Sequence, residues 1–367
     1  MLDSLLLDAI LLIYFLFVLF MIRIASRKEY NEEYLSADNT TALRGIMAIG
    51  IVLHHMSERV TGGYLFPQMV HAGYLLVSTF FFLSGYGLIV QYQKRGETYL
   101  NGFLRKRLLY LVIVYLLDVG LYALYDLMMG KTHSFLEILQ SVYRGGIAKS
   151  AWYMIVLIFF YVCFWLIFRF LPQVSTKVKI LVIFFCQIAF IGFCLLTQKS
   201  GIWYISNFGF SLGMYWACEK EWIDTLAKRR YWLLLAITIL LFTLFSALPL
   251  AFARLPGASA YAKPFKTICR LISTPISSIL LVLLLMKVRF CGRIWTFLGK
   301  ISLEIYLLHG MAYSFLRSDI VYLENEALWV LCTVAVSILI AIPANLLNRW
   351  IAKTCRSGLI SAKREKA

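Results

Sequence analysis

Charged residues are scarce in this sequence. Asp, Glu, Lys and Arg make up only 15% of the 367 residues, whereas a typical soluble domain carries about 25%. Hydrophobic residues make up 61%, and the mean hydropathy is +0.77. These proportions exclude an ordinary soluble domain and are typical of a chain that crosses a membrane many times.

Disulfide and metal-binding patterns are also missing. The eight cysteines contain no Cys-x-x-Cys pair, and most of them lie within apolar runs, where cysteine acts as a small apolar residue. The five histidines include no two that are four residues apart, the spacing that places two imidazoles on one helix face. The sequence therefore predicts no disulfide framework and no metal site.

Apolar runs of membrane-spanning length account for most of the chain. They predict an all-α polytopic membrane protein, a bundle of about eleven transmembrane helices in the lipid bilayer. No internal repeat, low-complexity segment or soluble domain interrupts the series. We predict the spans at residues 5–25, 42–57, 72–91, 107–128, 151–171, 179–197, 202–218, 231–252, 268–287, 301–318 and 327–349.

Acidic residues are outnumbered, with 19 Asp and Glu against 36 Lys and Arg and a formal net charge of +17. In a soluble chain this excess would suggest a nucleic-acid partner. Here 26 of the 36 basic residues fall in alternate loops and the C-terminal tail, and basic loops stay on the cytoplasmic side. The pattern predicts a multi-pass plasma-membrane protein with its N-terminus outside and its C-terminus in the cytoplasm, and no nucleic-acid partner.

One apolar stretch, residues 40–56, carries ionisable groups at membrane depth, where they are costly and mark functional sites. Arg44 and His55 are eleven residues apart, about three helical turns, so they share one face about 16 Å apart along the axis. His54 points roughly 100° away from that face. The pair predicts an anion-binding group and a proton-handling group on one line. The alternative is that Arg44 is a positive-inside anchor and the histidines are satisfied by neighbouring helices.

Five motifs follow one another along the chain and, in this order, resemble those of the acyltransferase-3 family of integral membrane acyltransferases. The first is similar to the family's pattern of an Arg and a His separated by ten residues. Ser84 and Gly85 in the second predict close helix packing. The motifs are Leu43-Arg-Gly-Ile-Met-Ala-Ile-Gly-Ile-Val-Leu-His-His55, Phe80-Phe-Phe-Leu-Ser-Gly-Tyr-Gly-Leu-Ile89, Phe103-Leu-Arg-Lys-Arg-Leu-Leu-Tyr110, Trp152-Tyr153 and Leu298-Gly-Lys-Ile-Ser-Leu-Glu-Ile-Tyr-Leu-Leu-His309.

The resemblance covers residues 38–318 and implies a ten-helix core with both ends in the cytoplasm. This chain adds one helix before that core, which moves the N-terminus outside in agreement with the distribution of Lys and Arg. We predict three parts. Residues 1–37 form the extra N-terminal transmembrane helix and a basic linker, residues 38–350 the transmembrane acyltransferase domain, and residues 351–367 a basic cytoplasmic tail.

The function implied by the resemblance is transfer of an acyl group, often acetyl, from cytoplasmic acyl-CoA to a hydroxyl of an extracytoplasmic acceptor. Such acceptors are commonly carbohydrates of the cell surface. We expect an O-acetyltransferase with acetyl-CoA as its donor substrate, a cell-surface glycan or similar acceptor as its partner, and no metal.

Site residues follow from the same motifs. Arg44, Arg105 and Arg107 are expected to bind acyl-CoA, because a planar guanidinium binds phosphate through two hydrogen bonds. His55 and Arg44 are the expected catalytic residues, with His55 as the general base for the acceptor hydroxyl or, alternatively, as an acyl-His relay. We expect four further residues to line the site: Trp152, Tyr153, Tyr306 and His309. Trp152 and Tyr153 are the expected platform for a sugar.

Two other classes of membrane protein fit the composition. A solute transporter would also place His and Arg at membrane depth, but two halves with matching interrupted spans are not apparent in the sequence. The other class is a non-catalytic sensor, or the membrane domain of a larger assembly. Release of coenzyme A on addition of an acceptor distinguishes the enzyme from both.

Overall fold

The computed structural model describes the backbone of residues 2–148, 150–290 and 292–364 and the side chains within residues 3–354. The predicted all-α class is confirmed, because these residues form fifteen α-helices and one small two-stranded sheet. The helices are α1 (Leu2–Phe20), α2 (Ala37–Ser57), α3 (Gly73–Arg95), α4 (Glu97–Phe103), α5 (Leu109–Met128), α6 (Phe135–Arg144), α7 (Ala151–Phe170), α8 (Thr176–Leu196), α9 (Phe208–Cys218), α10 (Lys220–Arg229), α11 (Tyr231–Phe252), α12 (Ser259–Leu285), α13 (Arg293–Lys300), α14 (Ser302–Phe315) and α15 (Glu326–Arg364).

Eight helices of the described residues are long and apolar enough to cross a membrane. They make the chain a multi-pass membrane protein by length and composition. Residues 351–364 of the predicted tail continue α15 without a break, and residues 365–367 lie outside the described part. The eight segments are Asp3–Phe20, Gly73–Arg95, Glu97–Met128, Ala151–Phe170, Thr176–Leu196, Tyr231–Phe252, Ser259–Leu285 and Glu326–Thr354.

The other three predicted spans are not confirmed as membrane-crossing helices. The run 202–218 is a 3₁₀ turn followed by α9 with 11 residues, and the run 301–318 forms α14 with 14 residues. At 1.5 Å per residue they extend about 16 and 21 Å, short of a hydrocarbon core of about 30 Å. The run 42–57 lies in α2, a 21-residue helix that begins with polar residues. Most residues of all three helices are buried against neighbouring helices, so their apolar character reflects the protein core.

Helix α2 crosses its neighbour α13 at very close range. A Cβ atom added to Gly45 would lie 2.3 Å from the carbonyl oxygen of Trp295, and one added to Gly299 would lie 1.8 Å from that of Thr41. No side chain larger than hydrogen fits at these points, so glycine allows the two backbones to touch. This contact fixes α2 next to α14, which follows α13 directly.

Helices α3 and α9 make the second close crossing. An added Cβ at Gly85 would lie 2.0 Å from the Phe210 carbonyl oxygen, and one at Gly213 would lie 2.0 Å from that of Phe82. The close packing predicted from Ser84 and Gly85 is therefore confirmed at Gly85. It brings α3 against the centre of the bundle, beside α2 and α12.

The start of α2 is anchored by the small sheet. Strands β1 (Ile22–Ile24) and β2 (Val288–Phe290) pair antiparallel, with Ile22 opposite Phe290. The Phe290 backbone N–H donates to the side-chain oxygen of Asn39, and the Asn39 amide donates to the Tyr34 carbonyl. We call this end of the bundle the Arg44 side, and the end where α2 finishes the His55 side.

Candidate active site

Arg44 lies about two turns inside α2. Ser36 caps this helix by accepting a hydrogen bond from the Asn39 backbone. The Arg44 guanidinium donates from Nε to the Thr40 carbonyl and from Nη2 to the Thr41 hydroxyl at 2.9 Å. Since a guanidinium has five N–H donors, these two bonds orient the group and leave other donors for a ligand.

A cavity of about 620 Å³ opens beside Arg44. Four cationic side chains from four different elements contribute to its wall: Arg44, Lys94, Arg107 and Lys220. Its deeper part is aromatic, with Phe80 of α3, Tyr153 of α7 and Tyr306 of α14. Cations at the mouth and aromatic rings inside suit an anion that carries a less polar arm.

Arg105 is not brought into this cavity. It lies in the π-helical turn Leu104–Leu108, between α4 and α5, and is exposed. Arg107 lies two positions further along the same turn and lines the cavity. Both side chains are exposed, but residues two positions apart on a helix do not face the same way, so only Arg107 borders the cavity.

His55 forms a dyad with Glu58 at the other end of α2. The His55 Nδ1 atom lies 2.8 Å from Glu58 Oε2, so Nδ1–H donates to the carboxylate and Nε2 is left as an acceptor. Burial alone would raise the pKa of Glu58, but the hydrogen bond from His55 and the nearby charges of His54 and Arg59 hold that pKa at about 2. An ionised Glu58 therefore faces the ring at neutral pH.

His54 also lies near Glu58, with its Nε2 3.7 Å from Oε1, but its hydrogen bond and packing contacts differ from those of His55. Its Nδ1 donates to the Met69 carbonyl oxygen at 3.0 Å, and its ring packs directly on Gly73, where an added Cβ would lie 2.2 Å from Nε2. Only 9% of the residue is exposed. These contacts are those of a packed histidine between α2 and the start of α3.

His309 lies directly against His55. The two rings stack with their centroids 4.9 Å apart and an interplanar angle of 16°. His309 is only 1% exposed, and its Nδ1 donates to the Tyr306 carbonyl oxygen at 2.6 Å. Both imidazoles therefore use Nδ1 for a fixed hydrogen bond and keep Nε2 as the remaining ring nitrogen.

Arg59 and Tyr313 complete this side of the site. The Arg59 guanidinium lies 4.1 Å above the Tyr313 ring and donates from Nη2 to its hydroxyl at 3.0 Å. It also lies 3.3 Å from Glu58 Oε2. Sequence reasoning missed Glu58 and Arg59, although their positions three and four residues after His55 place them on its helix face.

The same dyad region is where a metal ion could be held. One ligand atom each of His54, His55 and Glu58 lies within 4.8 Å of the others. The Arg59 guanidinium competes with a cation for the same carboxylate, and the His55 ring already donates to it. We therefore interpret the cluster as an imidazole and its orienting carboxylate.

A second cavity, of about 880 Å³, opens on the His55 side. The end of α5, helix α6 and residues 314–320 form its wall, which holds side chains of both charge signs. His133 Nε2 is hydrogen-bonded to Asp126 Oδ2 in it at 2.7 Å. The innermost lining residue is Tyr122, which is 2% exposed and donates to the Leu307 carbonyl of α14 at 3.0 Å.

Neither His55 nor His309 lines either cavity, but His309 lies in α14 between Tyr306, which lines the first cavity, and Ser314, which lines the second. Tyr306 lines the first cavity, and the carbonyl of the next residue in α14 accepts the hydrogen bond from Tyr122 of the second. His309 follows one turn after Tyr306. The two cavities thus approach α14 from opposite ends of the bundle, on either side of the same helical turn.

The rings of the predicted aromatic pair stay in edge-to-face contact, with centroids 6.2 Å apart, but they have different surroundings. Tyr153 is buried in the first cavity near Tyr306, with ring centroids 5.0 Å apart, whereas Trp152 packs at the edge of the core. The sugar platform predicted from these two rings stays a prediction.

One comparison with known proteins gives a match. The family model described as an acyltransferase domain matches residues 39–346. No curated protein and no solved structure matches the chain. The matched range contains most of the residues that line the two cavities, and it contains both His55 and His309.

Proposed function

This chain belongs to the acyltransferase family whose model matches residues 39–346, and on that premise we propose that it is an O-acetyltransferase working across a membrane. It moves an acetyl group from cytoplasmic acetyl-CoA to a hydroxyl on the other side. The acceptor in this proposal is a carbohydrate of the cell surface, and the membrane is the plasma membrane.

The observation that carries the proposal is the pair of cavities that approach α14 from its two ends, with His309 between Tyr306 of the first cavity and Ser314 of the second. A transfer between two aqueous compartments needs one opening for the donor and one for the acceptor, with the reacting group between them. The first cavity supports donor binding, because its four cations match the phosphates and its aromatic interior matches the pantetheine arm. Its volume of about 620 Å³ lies within the usual range of ligand pockets.

His55 acts as the general base in this proposal. Its Nε2 takes the proton of the acceptor hydroxyl while the oxygen attacks the thioester carbonyl carbon. A C–O bond forms, the C–S bond breaks, and the electron pair leaves with sulfur. Glu58 supports this role, because a carboxylate on Nδ1–H holds the tautomer and stabilises the imidazolium. In the relay alternative, Nε2 of a histidine attacks first and carries the acetyl group.

The second cavity supports the acceptor end. Its wall of acidic, basic and hydroxyl side chains offers donors and acceptors for a polyhydroxylated molecule. The proposal requires the His55 side to face outward, as the distribution of Lys and Arg predicts. Terminal tags in intact cells measure this: an N-terminal tag should be accessible and a C-terminal tag protected, and the reverse pattern would refute the orientation.

The function is tested by thiol release. The purified full-length protein in lipid vesicles receives acetyl-CoA labelled in the acetyl group, with a panel of soluble oligosaccharides as acceptor probes. We expect free coenzyme A and label on an oligosaccharide in equal amounts, and neither with His55→Ala. Uptake of an oligosaccharide without thiol release would favour a transporter. A labelled protein that transfers its label when acceptor is added would favour the acyl-His relay over the direct base.

A further inference from the structure

Two carboxylates hold the loop of residues 61–66, which follows α2. Five of its six backbone N–H groups donate to one of them. Glu326 of α15 accepts from the first two residues of the loop at 3.0–3.1 Å. Asp8 of α1 accepts from the last three residues at 2.8–3.0 Å. The path of the loop is therefore set by groups on the first and the last helix.

The loop encloses Asp8. The residue is 9% exposed, and its two oxygens accept four hydrogen bonds from consecutive backbone N–H groups. Such bonds compensate the charge of a buried carboxylate without a cation. Gly63 allows this close approach, because its φ is +91° and an added Cβ would lie 3.0 Å from Asp8 Oδ1. Asp8 precedes the matched range 39–346, so the family match gives it no role.

The loop is joined directly to the His55–Glu58 dyad along the chain. Glu58 is the C-cap residue of α2. The backbone N–H groups of Arg59 and Val60 donate to the Met56 carbonyl at 2.9 and 3.1 Å, and the loop begins after this turn. Because only one tight turn separates Glu58 from the loop, a shift of the loop moves the Glu58 carboxylate relative to Nδ1 of His55.

A second connection runs through the far end of the loop. The 3₁₀ turn that begins at Phe66 starts with an N–H group that donates to Asp8. The Met69 carbonyl of this turn accepts from Nδ1 of His54 at 3.0 Å. Nε2 of the same ring lies 3.7 Å from Glu58 Oε1. Asp8 therefore also holds the segment that reaches the dyad from its other side.

We propose that Asp8 is a positioning residue of the active site, which holds the loop so that the Glu58 carboxylate stays aligned with Nδ1 of His55. This inference rests on the proposed function, in which that alignment lets His55 take the proton of the acceptor hydroxyl. General-base catalysis depends on such geometry. The helix that precedes the matched range thus acts in the reaction as well as crossing the membrane, and Asp8 itself does not touch the substrates.

Other contacts hold α1 in place when Asp8 is changed. The Tyr14 hydroxyl donates to the Ile46 carbonyl of α2 at 2.9 Å. Near the start of α1, the Asn325 amide donates to Asp3 at 2.5 Å. Substitution of Asp8 should therefore displace the loop and leave the helix where it is.

Asp8→Leu tests the proposal, because Leu has nearly the same shape but no acceptor. With acetyl-CoA and the oligosaccharide that supports release in the wild type, kcat should fall about tenfold or more, the cost of a small misplacement. The KM for acetyl-CoA should not change, because the donor cavity lies at the other end of α2. Asp8→Asn keeps Oδ1, which accepts from all three N–H groups, and should retain most of the wild-type kcat. Asp3→Leu is the matched control on the same helix and should retain all of it.

A double-mutant cycle separates alignment of the dyad from a general loss of stability. If Asp8 acts through Glu58, adding Asp8→Leu to Glu58→Ala should lower kcat less than about twofold, whereas independent effects multiply. Multiplied losses, a changed KM or a wild-type kcat in Asp8→Leu would overturn the proposal. Gly63→Ala displaces the same loop and should also lower kcat without changing KM. It decides the question if Asp8→Leu does not fold, and a wild-type kcat in Gly63→Ala would then overturn the proposal.

Hydrogen exchange gives a readout that does not depend on activity. In the purified full-length protein, Asp8→Leu should speed exchange of the amides of residues 64–66 about tenfold or more, while the amides of α5 exchange as in the wild type. Equal exchange of residues 64–66 in both proteins would overturn the proposal. If the wild type releases no coenzyme A with any acceptor, the proposed function fails, and exchange alone then decides whether Asp8 holds the loop.

Discussion

Replacing Glu58 by Gln isolates the contribution of its charge to the action of His55. Gln keeps an oxygen that can accept the hydrogen bond from His55 Nδ1. In the wild type this nitrogen lies 2.8 Å from Glu58 Oε2. A hydrogen bond to a charged group contributes about 1.5–3 kcal/mol and a neutral one about 0.5–1.5. The side chains of His55 and Glu58 are 29% and 38% exposed, so solvent screening favours the low end of the difference, about 1 kcal/mol.

A loss of about 1 kcal/mol corresponds to roughly a fivefold decrease in kcat. Glu58→Ala removes the acceptor altogether and frees the ring, so its loss should approach the hundredfold or more expected on removal of a general base. The assay is acceptor-dependent release of coenzyme A, with kcat and the KM for acetyl-CoA measured separately. The KM should not change, because the donor cavity opens at the opposite end of α2.

The three variants should differ in the size of their loss of kcat. Glu58→Gln should be the mildest, Glu58→Ala intermediate and His55→Ala the most severe. Glu324→Gln, an exposed acid on the same side of the molecule, is the matched control and should retain wild-type kcat. A Glu58→Gln variant as inactive as His55→Ala would refute the orienting role, because the charge would then have to take part in proton transfer itself.

Three further changes have defined outcomes. His55→Ala should abolish transfer while coenzyme A binding persists, whereas His54→Ala, which loses the packing on Gly73, should remain active with a lower yield of folded protein; an inactive His54→Ala beside an active His55→Ala would reverse the assignment. Arg44→Lys should keep part of the affinity for coenzyme A and Arg44→Ala little, since Lys retains the charge but not the planar fork; binding measured at rising salt should weaken in the wild type, and equal affinity of all three proteins would place the site elsewhere. Gly213→Ala should lower the thermal stability of the detergent-solubilised protein by several degrees, because its Cβ would lie 2.0 Å from the Phe82 carbonyl, whereas Gly120→Ala, with no atom within 4 Å of the added Cβ, should not; equal melting temperatures would refute the close crossing.

Sequence periodicity predicted the α2 arrangement well but not the number of membrane-crossing helices. The eleven-residue spacing from Arg44 to His55 places the two groups toward opposite ends of one helix, a local property that 3.6 residues per turn determines. The sequence pattern of an apolar run, however, is the same for a helix in lipid and for a helix in the protein core. The runs that form α9 and α14 are apolar because they are buried in the protein. Their short lengths could not be predicted, because the apolar pattern did not show where each helix begins and ends.

The partners of His55 also differ in whether the sequence could predict them. Glu58 is within one helical turn, so a search for i, i+3 and i, i+4 neighbours would have found it. His309 and Tyr313 come from a helix more than 250 residues away, and their stacking depends on how α13 and α14 pack against α2. The same search would have found Arg59, four residues after His55. The family resemblance pointed to His309, whereas Tyr313 carried no signal that a pattern of spacing could reveal.

The shortness of the central helices is what permits a site between two cavities. A helix that crosses the whole hydrocarbon core keeps its middle turns about 15 Å from either surface. Helix α14 has 14 residues and extends about 21 Å. In a hydrocarbon core about 30 Å thick, this leaves roughly 9 Å for openings at the ends of the helix. Because α14 is enclosed by α2, α5 and α15, its ends can border polar space without exposing unpaired backbone groups to lipid. The lipid-facing helices then isolate the bundle, and the short buried ones bring Tyr306, His309 and the two openings within a few turns of each other.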